Sequence, residues 1–207
     1  DFALGGWSYY DAPASIGVSA GNAVLTSESI GVYSDVRSHS TDDATLLMDV
    51  QGNKSLSITA PVVAYGMGKG TINLNDRSDG RTALAGGVAA VSGSDINIGL
   101  NTADSVWTGF AQDARTDASL TGVIDVIAKD NATWNVRPVQ EDYRVNETDT
   151  KSYLTSWNSL DVSNIELRQG NGTYQAVDIG MLTGRNAIFR VATDIDAVRG
   201  EGKGTDQ

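Results

Sequence analysis

Four aspartates and one histidine are the residues of this chain whose types and settings could do chemistry. Asp95, Asp125, Asp178 and Asp194 each sit in a short stretch where apolar and polar residues alternate. On a strand, alternation sends apolar residues to one face and polar residues to the other, so the four carboxylates should point outward. Outward carboxylates at a suitable separation are what a glycan-cleaving enzyme uses, one as acid and one as base or nucleophile. The same carboxylates also solubilise a sheet and discourage edge-to-edge pairing. No Lys/Arg cluster stands beside them, as a lyase would want. His39 lies in Arg37-Ser38-His39-Ser40-Thr41-Asp42-Asp43. A hydrolytic triad is assembled across a fold, with a carboxylate orienting the base beside a nucleophile. A purely local run of Ser, His and Asp reads more simply as a solvated loop.

Metal and phosphate chemistry fare no better. Asn75-Asp76-Arg77-Ser78-Asp79-Gly80 begins like a calcium loop, but Arg77 stands where an oxygen ligand is needed and Gly86 where the closing Glu belongs. Gly66-Met67-Gly68-Lys69-Gly70-Thr71 and Gly200-Glu201-Gly202-Lys203-Gly204-Thr205 lack the order of a phosphate loop and open no helix. The sequons at Asn53, Asn131, Asn146 and Asn171 are read as turn chemistry. The expectation is therefore no catalytic residue, no cofactor and no dedicated metal.

The elements that would position these residues are strands. The 207 residues include 40% hydrophobics, 23 Gly and 3 Pro, which is the vocabulary of many short strands joined by tight turns. Period-two alternation marks 55–59, 71–75, 95–98, 123–126, 133–136, 164–167, 176–179 and 188–191. No stretch has apolar residues at helical spacing, and Gly86-Gly87 breaks the Ala/Val-rich run 83–91. Loosely spaced strands without helices fit stacked solenoid rungs; a sandwich would fit the strand count too. The reading adopted is all-β, a right-handed parallel β-helix. Aromatics gather after a soft boundary near 105, dividing a stalk at 1–104 from a segment at 105–207. The charged stretch 137–151 reads as a loop leaving the stack. There is no cysteine, and the net charge is −11, with a pI near 4.3. An acidic surface repels phosphate, so nucleic acid is not an expected partner. No apolar run approaches the roughly 20 residues of a membrane span, so no membrane insertion by this segment is expected.

The second half resembles the passenger domains of bacterial autotransporters, the type V secretion family. The matching pieces are Asp104-Ser105-Val106-Trp107-Thr108-Gly109-Phe110-Ala111, then Asn131-Ala132-Thr133-Trp134-Asn135-Val136, then Tyr153-Leu154-Thr155-Ser156-Trp157, then Ser163-Asn164-Ile165-Glu166-Leu167. Leu182-Thr183-Gly184, Ile188-Phe189-Arg190-Val191 and Thr193-Asp194-Ile195 follow in order. Trp157 departs from the pattern, since the family usually has a smaller aliphatic there. The resemblance implies a fragment displayed on, or released from, the surface of a Gram-negative cell. It implies a membrane β-barrel C-terminal to the fragment, and a structural or adhesive role in virulence. Host receptor, matrix or a second copy would be the partner. It also implies that 105–207 is an autochaperone-like segment that helps the passenger fold. Its folding-core candidates are Trp107, Phe110, Trp134, Val136, Ile165, Leu167, Phe189 and Val191. Trp134 should face inward with Ala132 and Val136, rather than outward as a sugar platform.

Overall fold

A computed structural model describes residues 2–8, 14–27, 30–36, 44–66, 70–113, 122–137, 151–168 and 175–191. Among these residues there are strands and turns and no helix. The first rung is β1 (Phe2–Ser8), β2 (Ala14–Ala20) and β3 (Ala23–Thr26). The second is β4 (Ile30–Val36), β5 (Ala44–Val50) and β6 (Ser55–Thr59). The third is β7 (Val62–Gly66), β8 (Gly70–Leu74) and β9 (Arg81–Ala85). The fourth is β10 (Val88–Val91), β11 (Asp95–Leu100) and β12 (Val106–Thr108). The fifth is β13 (Ala111–Gln112), β14 (Val123–Ala128) and β15 (Ala132–Asn135).

Every described pairing between rungs is parallel, and each strand pairs with its counterpart one turn away. One column of strands runs β1-β4-β7-β10-β13, a second β2-β5-β8-β11-β14, and a third β3-β6-β9-β12-β15. The cross-section then changes. A single long strand, β16 (Lys151–Ser159), replaces the first two strands of a rung. Its Tyr153 sits beside Gln112 of β13, and its Ser156 beside Asp125 of β14. With β17 (Ser163–Glu166) it makes a two-strand rung, followed by another of β18 (Ala176–Gly184) and β19 (Ala187–Arg190). The described residues form a parallel β-solenoid of five three-strand turns followed by two two-strand turns.

Alternation explains why these segments become strands. In β5, Ala44, Leu46, Met48 and Val50 are buried, while Thr45, Leu47 and Asp49 lie between them half-buried. Parallel pairing then stacks like on like. Ile72, Ile96 and Ile124 share one inward column, and Leu74, Ile98 and Val126 the next, all of them buried. Burying each such side chain contributes about 1.5–3 kcal/mol. The apolar core runs without a break from Val32 to Leu167, so it crosses residue 105. What changes there is its content, from aliphatic side chains to Trp107, Phe110, Trp134 and Trp157.

Gly86-Gly87 forms the corner between β9 and β10. A Cβ on Gly86 would lie 2.2 Å from the carbonyl oxygen of Ala60 one turn away, so only glycine fits. The Asn75–Gly80 and Lys129–Asn131 stretches are turns, with Asn75, Asp130 and Asn131 at positive φ. The expected loop 137–151 ends one residue early, because Lys151 opens β16; residues 138–150 lie outside the described residues.

Candidate functional site

The most distinctive assembly is a column of three tryptophans. Trp107 of β12 is in register with Trp134 of β15, and Trp134 with Ile165 of β17. The Trp107 and Trp134 rings stack at 4.6 Å between centroids, 6° from parallel. Trp157 comes from β16, in a different column of strands, and lies on Trp134 at 5.7 Å and 17°. All three are fully buried. A buried indole needs a partner for its N–H, and each has one. Trp107 donates to the carbonyl of Gly86 (3.1 Å) and Trp134 to that of Gly109 (2.9 Å). Trp157 donates to the hydroxyl of Ser163 (3.0 Å), which donates to Ser159 (2.8 Å). Gly109 sits so close beneath the previous turn that a Cβ would lie 2.1 Å from the oxygen of Gly86.

Two hydroxyls brace the change of cross-section and the corner that leads into it. Ser105 accepts from the backbone N–H of Thr82 at 3.0 Å. Thr155 accepts from the N–H of Ile124 (3.0 Å) and donates to Asp113 (2.8 Å), holding β16 against β14 and against the residue that follows β13.

Six of the eight folding-core candidates are buried: Trp107, Phe110, Trp134, Val136, Ile165 and Leu167. Ala132 is buried with Trp134 and Val136 on the inward face. Phe189 stands in the same column as Ile165, but in the last described rung, where it is 40% exposed; Val191 is 42% exposed. Trp157, absent from that candidate set, is as buried as the other two tryptophans. The sequence marked it as one of the aromatics gathered after residue 105 and as a departure from the pattern the second half resembles.

The carboxylates divide. Asp95 and Asp125 occupy neighbouring strands on the same outward face, because Asp95 pairs with Val123 and Asn97 with Asp125. Burial holds the Asp95 carboxyl above the ordinary value, and the Asp125 charge adds to this. Asp125 accepts a hydrogen bond from the Ser156 hydroxyl. On the same face Asn97 donates to Asn73 at 2.9 Å, so a polar ladder runs Asn73-Asn97-Asp125-Ser156. Asp178 is on β18, paired with Lys151 at 3.3 Å. Asp194 and the His39 cluster lie outside the described residues.

The calcium-like stretch serves the corner. Asn75 accepts from the N–H of Val50 (2.8 Å) and donates to Thr82 (2.9 Å), while Asp79 accepts from the N–H of Gly52 (2.7 Å). Among the described residues no group of three or more His, Asp or Glu is placed to hold a metal. Residues 67–69 and 200–205 of the phosphate-loop-like stretches are outside the described residues. Asn53 and Asn131 are exposed in turns, and Asn146 and Asn171 lie outside the described residues. Comparison with known protein families, curated proteins and solved structures finds no match for this chain.

Proposed function

We propose that this chain is part of a surface-displayed autotransporter passenger with a structural and adhesive role, and that 105–207 helps the passenger fold. The observation that carries this reading is the position of the tryptophan column. Trp107 and Trp134 sit in three-strand rungs and Trp157 in a two-strand rung, so the stack spans the change of cross-section. A solenoid rung cannot bury its apolar face alone and needs a stable neighbour as template. The largest fully buried side chains among the described residues are gathered there. The outward face that carries Asp95, Asn97 and Asp125 would be the displayed one. Receptor, matrix or a second copy is the partner of this reading, and the barrel that would anchor it is outside the chain.

The test is display. The chain is fused between a secretion signal and an outer-membrane β-barrel in Gram-negative cells. Protease-resistant protein should reach the surface and make the cells adhere to matrix or to one another. The W107A/W134A variant should lose protease resistance. Undiminished resistance in that variant would remove the folding role, and folded surface protein without adherence would remove the adhesive one. A second reading, a polysaccharide-acting enzyme, is favoured by Asp95 and Asp125 sharing a face. It predicts release of reducing ends from oligosaccharides, abolished by D95N.

A further inference from the structure

The corner where β5 meets β8 holds two carboxylates, each with one oxygen that lacks a hydrogen-bond partner. Asp49 lies in β5 and Asp76 just past β8, in the adjacent turn of the solenoid. The backbone around them is pinned. Asn75 N–H donates to the Met48 carbonyl (2.8 Å), Gly80 N–H to the Val50 carbonyl (3.1 Å), and Val50 N–H to the Asn75 side chain (2.8 Å). These bonds hold the backbone of Asp49 beside that of Asn75 and Asp76. Asp49 Oδ1 and Asp76 Oδ1 are both closed to solvent, and neither has a hydrogen-bond partner. An unsatisfied buried carboxylate oxygen is costly, and two in one corner is a repeated pattern.

The charged groups around them do not fill the gap. Arg77 is nearest: its backbone N–H bonds the Asp49 carboxylate, but Asp49 Oδ1 stays unpartnered, and the Arg77 Nε stands 3.9 Å from Asp76 Oδ1, beyond hydrogen-bond reach, with its side chain 72% exposed. The other charged side chains of this corner, among the described residues, are Lys54, Asp79, Arg81 and Asp104. Lys54 is exposed in the turn after β5, Asp79 is engaged by Gly52, and Arg81 donates to the Asp104 carbonyl at 2.9 Å.

We propose that this corner is a proton latch: a proton taken up by the Asp49–Asp76 pair supplies the donor that its orphaned oxygens lack, so the second and third turns hold together more firmly in mildly acid surroundings than at neutral pH. Proton uptake also removes one of two neighbouring like charges. The titration runs the same way. Burial raises the carboxyl of each, the Asp49 charge raises Asp76 further, and Arg77 offsets both in part. A carboxyl raised in the folded state binds its proton more tightly there than in the unfolded chain. Its stabilisation is fully present below the ordinary carboxylate value and is lost as pH rises through the folded value.

The experiment follows thermal unfolding of the whole chain between pH 4 and 8 for wild type, D49N, D76N and the D79N control. An amide imitates the protonated carboxyl. D49N and D76N should raise Tm at neutral pH by roughly 2–4 °C, the scale for a domain of this size. The gain over wild type should vanish towards about pH 4, where carboxyls protonate anyway. A Tm lowered at neutral pH, or a difference that does not change with pH, overturns the latch. Should the variants fail to fold, carboxyl carbon NMR of the wild type decides. At least one of the two side chains must titrate above the ordinary carboxylate range, and two ordinary midpoints overturn the proposal. Millimolar calcium is the third arm. If it raises Tm at neutral pH in wild type but not in D49N or D76N, a cation and not a proton completes the corner, and the proposal is overturned.

Discussion

Trp107 and Trp134 lie one turn apart, in register, with rings 4.6 Å apart, and each sends its indole N–H to a glycine carbonyl of the turn before. Stacking and hydrogen bonding are thus combined in one side chain at each level. Trp134→Ala removes both and leaves a cavity in the middle of the column. It should cost about 3–5 kcal/mol. Trp134→Phe keeps an aromatic ring but leaves the Gly109 carbonyl without the indole donor, and should cost about 1–3 kcal/mol. Because the rings touch, the W107A/W134A pair should cost less than the sum of the single variants. Urea unfolding followed by tryptophan fluorescence measures all four, and strict additivity would show that the stack is not an energetic unit.

Gly109→Ala should be among the most damaging small substitutions in the chain. Its new methyl would lie 2.1 Å from the oxygen of Gly86 and 3.1 Å from the Trp107 indole nitrogen. Backbone and indole would both have to move, breaking the hydrogen bond that Trp134 makes to this residue. Gly21→Ala is the control, since nothing lies within 4 Å of its added methyl. A loss of several kcal/mol is expected at Gly109, of the size that overpacking against a fixed backbone gives, and less than about 0.5 kcal/mol at Gly21. Equal Tm values for the two variants would refute the close-packed corner.

How much of this was legible in the sequence depends on where alternation holds. In β6, β11 and β14 one face is core, so Leu56 and Ile58, Ile96 and Ile98, and Ile124 and Val126 announce their strands. Which strands become neighbours was not legible. The step from Val88 to its partner Ala111 is 23 residues, yet Ala111 meets Ser152 across 41, so the spacing between partners has no fixed period to read. Trp157 was hidden for a sharper reason. In β16 Ser152 and Leu154 are buried, and then Trp157 and Ser159, while Ser156 turns to the outward Asp125. The inward parity slips by one residue where the strand turns the corner, so counting by two from Leu154 puts Trp157 outside. The orphaned oxygens of Asp49 and Asp76 are a tertiary fact, and no local pattern marks them.

Thr155→Val tests the brace at the change of cross-section. The hydroxyl accepts from Ile124 N–H and donates to Asp113, and valine keeps the shape while removing both bonds. The N–H of buried Ile124 loses its partner, so the expected cost is about 1–3 kcal/mol. Thr155→Ser keeps the hydroxyl and should recover most of it. Hydrogen exchange locates the effect: the Ile124 amide should exchange faster in the valine variant and not in the serine one. Unchanged protection at Ile124 would mean that the hydroxyl does not hold this strand.

Glu166 and Arg168 should report pH in the sense opposite to the Asp49 corner. Arg168 binds both carboxylate oxygens, at 2.7 and 2.6 Å, and its backbone N–H adds a third bond at 3.1 Å. The Arg168 hydrogen bond holds the Glu166 carboxyl below its ordinary value, aided by the charges of Arg168 and Arg190. A depressed carboxyl contributes stability above its unfolded value, and that contribution is lost as pH falls through the folded value. Arg168→Ala should move the Glu166 carboxyl carbon titration upward and leave stability at neutral pH nearly unchanged, because the pair is at the surface. An unmoved midpoint would show that the bidentate pair does not form in solution.

The last described rung leaves apolar side chains uncovered, and this should govern how the chain behaves at high concentration. Leu182 continues the column of Trp157, and Phe189 that of Ile165, but they are 48% and 40% exposed. Neither β18 nor β19 carries the lysines or prolines that blunt a sheet edge. The chain should therefore associate through this face as concentration rises. Leu182→Lys and Phe189→Lys place a charge on it, and each should shift sedimentation towards monomer. Both side chains are already partly in water, so each substitution should cost less than burying a charge in the column beneath would. Trp157→Lys, one turn deeper, should unfold the region instead. Sedimentation velocity with a thermal melt separates the cases: association that persists in both edge variants, with folding intact, would place the contact elsewhere on the solenoid.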